Sequence, residues 1–228
     1  MLIVFEGGEG SGKGTQISLL TNYLINKGKK VLNIIEPGGT KVGHAIRDIL
    51  LNRSDFEIDG LTEALLFSAS RAYQVQNVTI PALQRGNIVL SDRSFYSTYA
   101  YQGHARENDL ELLQTLTKIA VNKLHPDLVI YLDIDPKIGI TRKKDQNEIN
   151  RLDKEDISFH NKVRKGYLTL AKNESHLWNI IDAGKSIDDV HKNIISVIDK
   201  VLVWILFRNL LVLLVLIFLI KFYNGVNS

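Results

Sequence analysis

The chain has 228 residues, 45% of them hydrophobic, enough for one large domain or for one domain with an appendage. It contains no cysteine, which excludes a disulfide framework and cysteine-based zinc or redox sites and points to a reducing, cytoplasmic setting. Net charge is +3, but Arg208 and Lys221 lie in a tail without acids. The body to residue 200 therefore holds 26 basic against 25 acidic residues, and no nucleic-acid partner is expected.

In chain order, LIVFE (2–6) is too short and too apolar for a helix and is expected to be a buried strand. The chain enters it directly, so no signal peptide is expected. The glycine loop FEGGEGSGKGTQ (5–16) follows. Gly7, Gly12 and Lys13 fit the phosphate-binding pattern G-x-x-x-x-G-K-[ST], but Gly14 stands where a hydroxyl is wanted and Thr15 brings one a position late. Between a strand and a helix, the loop from Gly7 through Gly8, Glu9, Gly10, Ser11, Gly12 and Gly14 to Thr15 would cradle phosphates with its amides. Lys13 would reach the β and γ oxygens.

Apolar residues at helical spacing predict a helix over 13–27, stopped by Gly28. VLNII (31–35) is a second strand, followed by Glu36-Pro37-Gly38-Gly39-Thr40, either an ordinary turn or a substrate loop. Helices are expected over 42–51 and 61–83. In the second of these, Phe67 and Arg71 lie one turn apart, either as a core aromatic with a solvent-facing cation or as a base platform with a guanidinium at the base's edge.

IVLSD (88–92) and LVIYLD (128–133) are further strands. Asp92 ends the first, as a helix cap or as a carboxylate against Mg²⁺, and Arg93 beside it suits a phosphate. The charged stretch 142–156 is expected to be a solvated loop or a lid closing over a triphosphate. A helix over 157–173, a strand at 177–181 and a helix from about 186 complete the body. Strands alternating with helices predict a three-layer α/β/α fold with a parallel sheet. Ligands gather at the carboxyl ends of such strands, where Glu6, Glu36, Asp92 and Asp133 fall.

From Val201 to Ile220 only Arg208 and Asn209 are polar. As a helix this segment would just cross a bilayer core, although an internal arginine is costly there. Membrane contact, packing as an oily helix on its own domain or a partner, and a non-functional extension all remain open. The six histidines show no metal-ligand spacing.

Together these motifs resemble the thymidylate kinases of the nucleoside monophosphate kinase group, over residues 1–200. FEGGEGSGKGTQ, EPGGT (36–40), LLFSASR (65–71), DRSFYSTYAYQG (92–103), PDLVIYLDIDPKIGITR (126–142) and KVRKGYLTLA (162–171) occur in the family's order. The 92–103 element is the most specific of them.

The resemblance implies a P-loop kinase with a lid at 142–156, transferring a phosphoryl group from MgATP to dTMP. Lys13, Arg93 and Arg151 would be its catalytic cations. Asp92 would position Mg²⁺; because Gly14 offers no hydroxyl, Thr15 is expected to contribute through water. Glu9, Glu36, Pro37, Phe67, Arg71, Arg93, Ser97, Thr98, Tyr101 and Gln102 would hold dTMP. It also implies a homodimer. Ile35, Gly14, Gln146 and Asn150 depart from the family's usual residues. The alternatives are an adenylate-type kinase and an inactive nucleotide-binding protein held by its tail.

Overall fold

The computed structural model describes residues 1–53, 55–145, 150–204 and 207. Five strands, β1 (Leu2–Gly7), β2 (Val31–Ile35), β3 (Ile88–Asp92), β4 (Leu128–Asp133) and β5 (Trp178–Asp182), form a wholly parallel sheet in the order β2-β3-β1-β4-β5. Strands buried on both faces read as continuous apolar runs rather than alternating ones. Every residue of β1 is buried, including Glu6. The expected α/β/α fold and its strands are therefore present, with the last strand one residue later than the sequence pattern placed it.

The helices are α1 (Lys13–Asn26), α2 (Lys41–Arg47), α3 (Gly60–Gln74), α4 (Ile80–Gln84), α5 (Phe95–Thr98), α6 (Leu110–Val121), α7 (Pro136–Asp145) and α8 (Ile157–Asn173). Residues 187–204 are helical as well. The expected helix over 61–83 runs from α3 through a π-helical turn, Val75–Thr79, into α4. Pro81 has no N–H to donate and its ring crowds the turn before it, so the widened turn there has a local cause. Two further π turns, Asp48–Asn52 and Tyr99–Ala105, follow α2 and α5.

The stretch 142–156 differs from the loop expected. Its first four residues belong to α7, which Asp135 caps by accepting from the Lys137 amide at 2.8 Å, and which Pro136 starts with its preset φ. Arg142, Lys143 and Lys144 in its last turn complement the helix dipole. A 3-10 turn, Leu152–Lys154, precedes α8. Gln146 lies outside the described residues.

The core beside β4 and β5 is aromatic. Tyr131 packs on Tyr167 of α8 with ring centroids 5.1 Å apart, and Tyr96 packs on Trp178 at 4.8 Å. This places α8, and the Tyr167 hydroxyl with it, against the carboxyl half of the sheet. The chain divides into two units, Met1–His191 and Lys192–Ser228. The tail's candidate membrane segment lies mostly outside the described residues. Among the described residues no helix is long and apolar enough to cross a membrane.

Candidate active site

The carboxyl ends of β1, β2 and β3 open into a cavity of about 1070 Å³. The loop after β1 forms its floor. Gly10 and Gly12 adopt φ of +64° and +86°, a region that side chains disfavour. A Cβ built on Gly10 would lie 2.0 Å from the Gly139 carbonyl oxygen, so α7 packs too closely for any side chain at that position.

Lys13 folds back over the loop. Its Nζ donates to the carbonyls of Gly7 at 3.0 Å and Gly8 at 3.2 Å and to Ser11 Oγ at 3.4 Å. Burial and the nearby Arg93 push its amine down from 10.5 to about 8, against the pull of Asp92, Glu9 and Glu6. An anion replacing those carbonyls would favour the charged amine.

Beside the loop stands Arg93, a non-glycine residue at φ +73°, as strained backbone at a functional position often is. Its Nη2 donates to Glu9 Oε1 at 2.7 Å, and its Nη1 to the Gly7 carbonyl at 3.1 Å, Tyr167 Oη at 3.2 Å and Ser97 Oγ at 3.3 Å. The guanidinium also lies over the Tyr101 ring, 5.2 Å from its centroid, and the Tyr101 hydroxyl donates to Glu9 Oε1 at 2.7 Å. Glu9 further accepts from Lys143 Nζ at 3.1 Å. Burial pushes the Glu9 carboxyl up, but Arg93, Lys13 and Lys143 outweigh it and hold it well below the usual carboxylate range.

The opposite wall carries Glu36, Phe67 and Arg71. Of the two readings of Arg71, the solvent-facing one is excluded, because the residue is 2% exposed. Its Nε donates to Glu36 Oε2 at 2.6 Å and its Nη2 to Thr98 Oγ1 at 3.2 Å. Burial raises the Glu36 carboxyl, opposed by Arg71. Arg71 Nη1 is buried with no partner among the described residues, as is Asp92 Oδ1. Both residues line the cavity, and buried groups left without partners in a cavity are natural ligand contacts. Pro37, Ser97, Tyr101 and Gln102 line it too.

Of the expected phosphate and nucleotide residues, all line the cavity except Gly7 and Gly8, whose carbonyls accept from Lys13, and Arg151, which is not on the cavity wall. Arg151 donates from Nη2 to Glu63 Oε1 at 2.6 Å and from Nε to the Leu50 carbonyl at 2.9 Å. Glu63 is fully buried and also accepts from Gln102 at 2.9 Å and Arg106 at 3.2 Å. A buried carboxylate draws cations, which explains where Arg151 sits.

Sequence reasoning missed several residues. Arg47 lines the cavity and donates to the Pro37 carbonyl at 2.8 Å, bringing a cation beside the position where Ile35 offers none. Arg142 lines it near Ala183, whose carbonyl accepts its Nη1 at 3.1 Å, and Lys143 bridges Glu9 and Asp153 Oδ2, the latter at 2.6 Å. These two were hidden among the many charges of 142–156. Gln74 holds the 36–40 loop through the Ile35 carbonyl at 3.0 Å and the Gly38 carbonyl at 3.2 Å. Glu6 was noted at a strand's carboxyl end but given no role, although an acid inside an otherwise apolar strand was itself a signal.

No group of three or more His, Cys, Asp or Glu side chains among the described residues is placed to hold a metal ion. Asp92, at the carboxyl end of β3 on the cavity wall, is a protein oxygen that would meet a divalent cation carried by a ligand's phosphates. The unpartnered Asp92 Oδ1 fits that role.

A family model described as thymidylate kinase matches residues 5–194. A thymidylate kinase from Thermosipho africanus is 50% identical over 200 residues, covering 88% of this chain and 98% of that protein. Another, from Geobacillus sp. strain WCH70, is 46% identical over 200 residues, covering 86% and 95%. Among solved structures, the crystal structure of a thymidylate kinase from Ehrlichia chaffeensis is similar, with a TM-score of 0.69 and 30% identity, covering 87% of this chain and 98% of that one.

Proposed function

Because the chain belongs to the thymidylate kinase family, we propose that it transfers the terminal phosphoryl group of ATP to dTMP, giving dTDP and ADP. The observation that carries this reading is the pairing, in one cavity, of a P-loop with its lysine and a wall holding Phe67 beside the unpartnered Nη1 of Arg71. Phe67 offers an apolar face for a pyrimidine ring to stack on, and Arg71 Nη1 a donor for the ring's carbonyl edge. Glu36 and Thr98 fix the guanidinium so that this donor is presented in one direction.

The acceptor is a phosphate oxygen, ionised near neutral pH, so no strong general base is needed. Catalysis rests on in-line placement and on cations around the transferring group. Lys13 gives up its loop carbonyls for the donor's phosphates. Arg93, held between Glu9 and the Gly7 carbonyl, faces both substrates' phosphates, and Arg47 adds charge on the acceptor side. Mg²⁺ carried in with ATP would neutralise phosphate charge, with Asp92 and, through water, Thr15 as the nearest protein oxygens. Arg151 completes the set by exchanging Glu63 for phosphate when the lid closes over the substrates. The donor's base would lie along Arg142, Ala183 and Ile187.

The test is a coupled ADP-release assay with dTMP, dUMP, AMP and GMP as acceptors. dTMP is expected to turn over fastest; faster turnover with AMP or GMP would overturn the assignment. With no cysteine and ATP as donor, the proposed location is the cytoplasm. α3 also presents Leu61, Leu65 and Tyr73 on one exposed stripe. A second copy of the chain would cover it, and a monomer by light scattering at micromolar concentration would reject that dimer.

A further inference from the structure

Glu6 has no part in the chemistry above. It does not line the cavity, yet it is a carboxyl fully buried within β1, surrounded by hydroxyl groups. Its Oε1 accepts from the Ser94 hydroxyl at 2.7 Å. Its Oε2 accepts from the Ser97 hydroxyl at 2.7 Å and from the Tyr167 phenol at 2.9 Å. Each hydroxyl carries one proton. With both protons directed at Oε2, the Ser97 and Tyr167 oxygens have only lone pairs to offer elsewhere, and Arg93 Nη1 lies 3.3 Å from the first and 3.2 Å from the second.

Remove that acceptor and the two hydroxyls, 2.8 Å apart, are free to bond each other. One oxygen's proton then has no assigned direction, and it competes with the guanidinium's own protons. The Arg93 amide is anchored to the same strand, donating to the Phe5 carbonyl at 2.9 Å. Backbone and side chain of the arginine are thus both referenced to β1.

We propose that Glu6 is a positioning residue for Arg93: by accepting both hydroxyl protons it sets the polarity of Ser97 and Tyr167, and so fixes the guanidinium that meets the substrates' phosphates. The proposal rests on the reading of Arg93 as the phosphate-bridging cation.

The test compares Glu6→Met, which removes the acceptor at similar length, with Glu6→Gln, whose amide oxygen can take the place of Oε2 while its nitrogen faces Ser94. Glu6→Met is expected to lower kcat/KM for dTMP by about tenfold or more, as loss of a hydrogen bond to a charged group does. Thymidine, which has no phosphate, is expected to bind both forms within about twofold. Glu6→Gln is expected to restore activity to within about threefold of the parent. On an Arg93→Ala background, Glu6→Met is expected to cost no more than about twofold further, because its effect passes through the arginine.

Equal loss of thymidine and dTMP binding, multiplicative effects of Glu6→Met and Arg93→Ala, or a Glu6→Gln variant as weak as Glu6→Met would each overturn the proposal. If Glu6→Met does not fold, Tyr167→Phe removes one of the two oriented oxygens and should give the same signature at smaller size; an unaltered kcat/KM would overturn it. Should Arg93→Ala alone leave activity near that of the parent, the reading of Arg93 fails and the proposal fails with it. A damaging Arg93→Ala beside a harmless Glu6→Met rejects the proposal alone.

Discussion

At the scale of single residues, Lys13 shows how the phosphate loop stores the means to bind. Its amine, pushed down to about 8 chiefly by burial, sits below its ordinary 10.5. The unfolded chain therefore binds more protons than the folded one between those values, so the protein gains stability as pH rises from 8 toward 10.5. Triphosphate reverses the balance by favouring the charged amine, and binding must then take up protons. Calorimetric titration with ATP near pH 8 in buffers of different ionisation enthalpy should reveal uptake that is smaller at pH 7 and absent in Lys13→Met. A binding heat independent of buffer would contradict it. Gly14 is the other residue with a clear expectation. A side chain there meets nothing within 4 Å, and the position is helical, where Gly is the costlier choice than Thr. Gly14→Thr should fold and keep or raise kcat, with half-maximal activity at equal or lower Mg²⁺; a large loss would mean that the glycine is required.

At the scale of elements, the described parts of the 142–156 stretch are fastened on two sides. Lys143 on α7 ties it to Glu9 of the phosphate loop and to Asp153, while Arg151 ties its other end to Glu63 on α3. Glu63 is fully buried, so its three donors satisfy a carboxylate that would otherwise be costly. If Arg151 leaves that carboxylate for the phosphates, Gln102 and Arg106 still satisfy it, and the exchange is affordable. Arg151→Ala is then expected to lower kcat by about a hundredfold, the usual scale for one charge-stabilising donor, with the KM for dTMP changed far less. A variant that loses melting temperature but keeps kcat would make Arg151 an anchor for Glu63 alone.

At the scale of the molecule, the sheet and the cavity floor were legible because both are written in local patterns. Apolar runs gave the strands, and the glycine spacing with Lys13 gave the loop. Phe67 and Arg71 were legible as a pair because helical spacing sets which residues share a face. What the pattern could not carry were partners distant in sequence: the burial of Arg71 on Glu36, the capture of Arg151 by Glu63, and the path from Glu6 to Arg93. Each depends on which strands become neighbours, and a window of local sequence does not encode that. The same long-range arrangement predicts what the apolar tail contributes to catalysis. All cavity-lining residues fall between Glu9 and Val190, inside the first of the two units. The match to the family ends at residue 194, and 200 aligned residues already cover 98% of the Thermosipho africanus relative. A chain ending at Lys200 should therefore keep kcat and the KM for dTMP within about twofold of the full-length protein, an effect smaller than 1 kcal/mol. Vesicle flotation of the two forms then isolates the tail's own behaviour, since a difference in membrane partition with equal kinetics assigns it to targeting. A collapse of kcat on truncation would show instead that the segment after 200 supports the active fold.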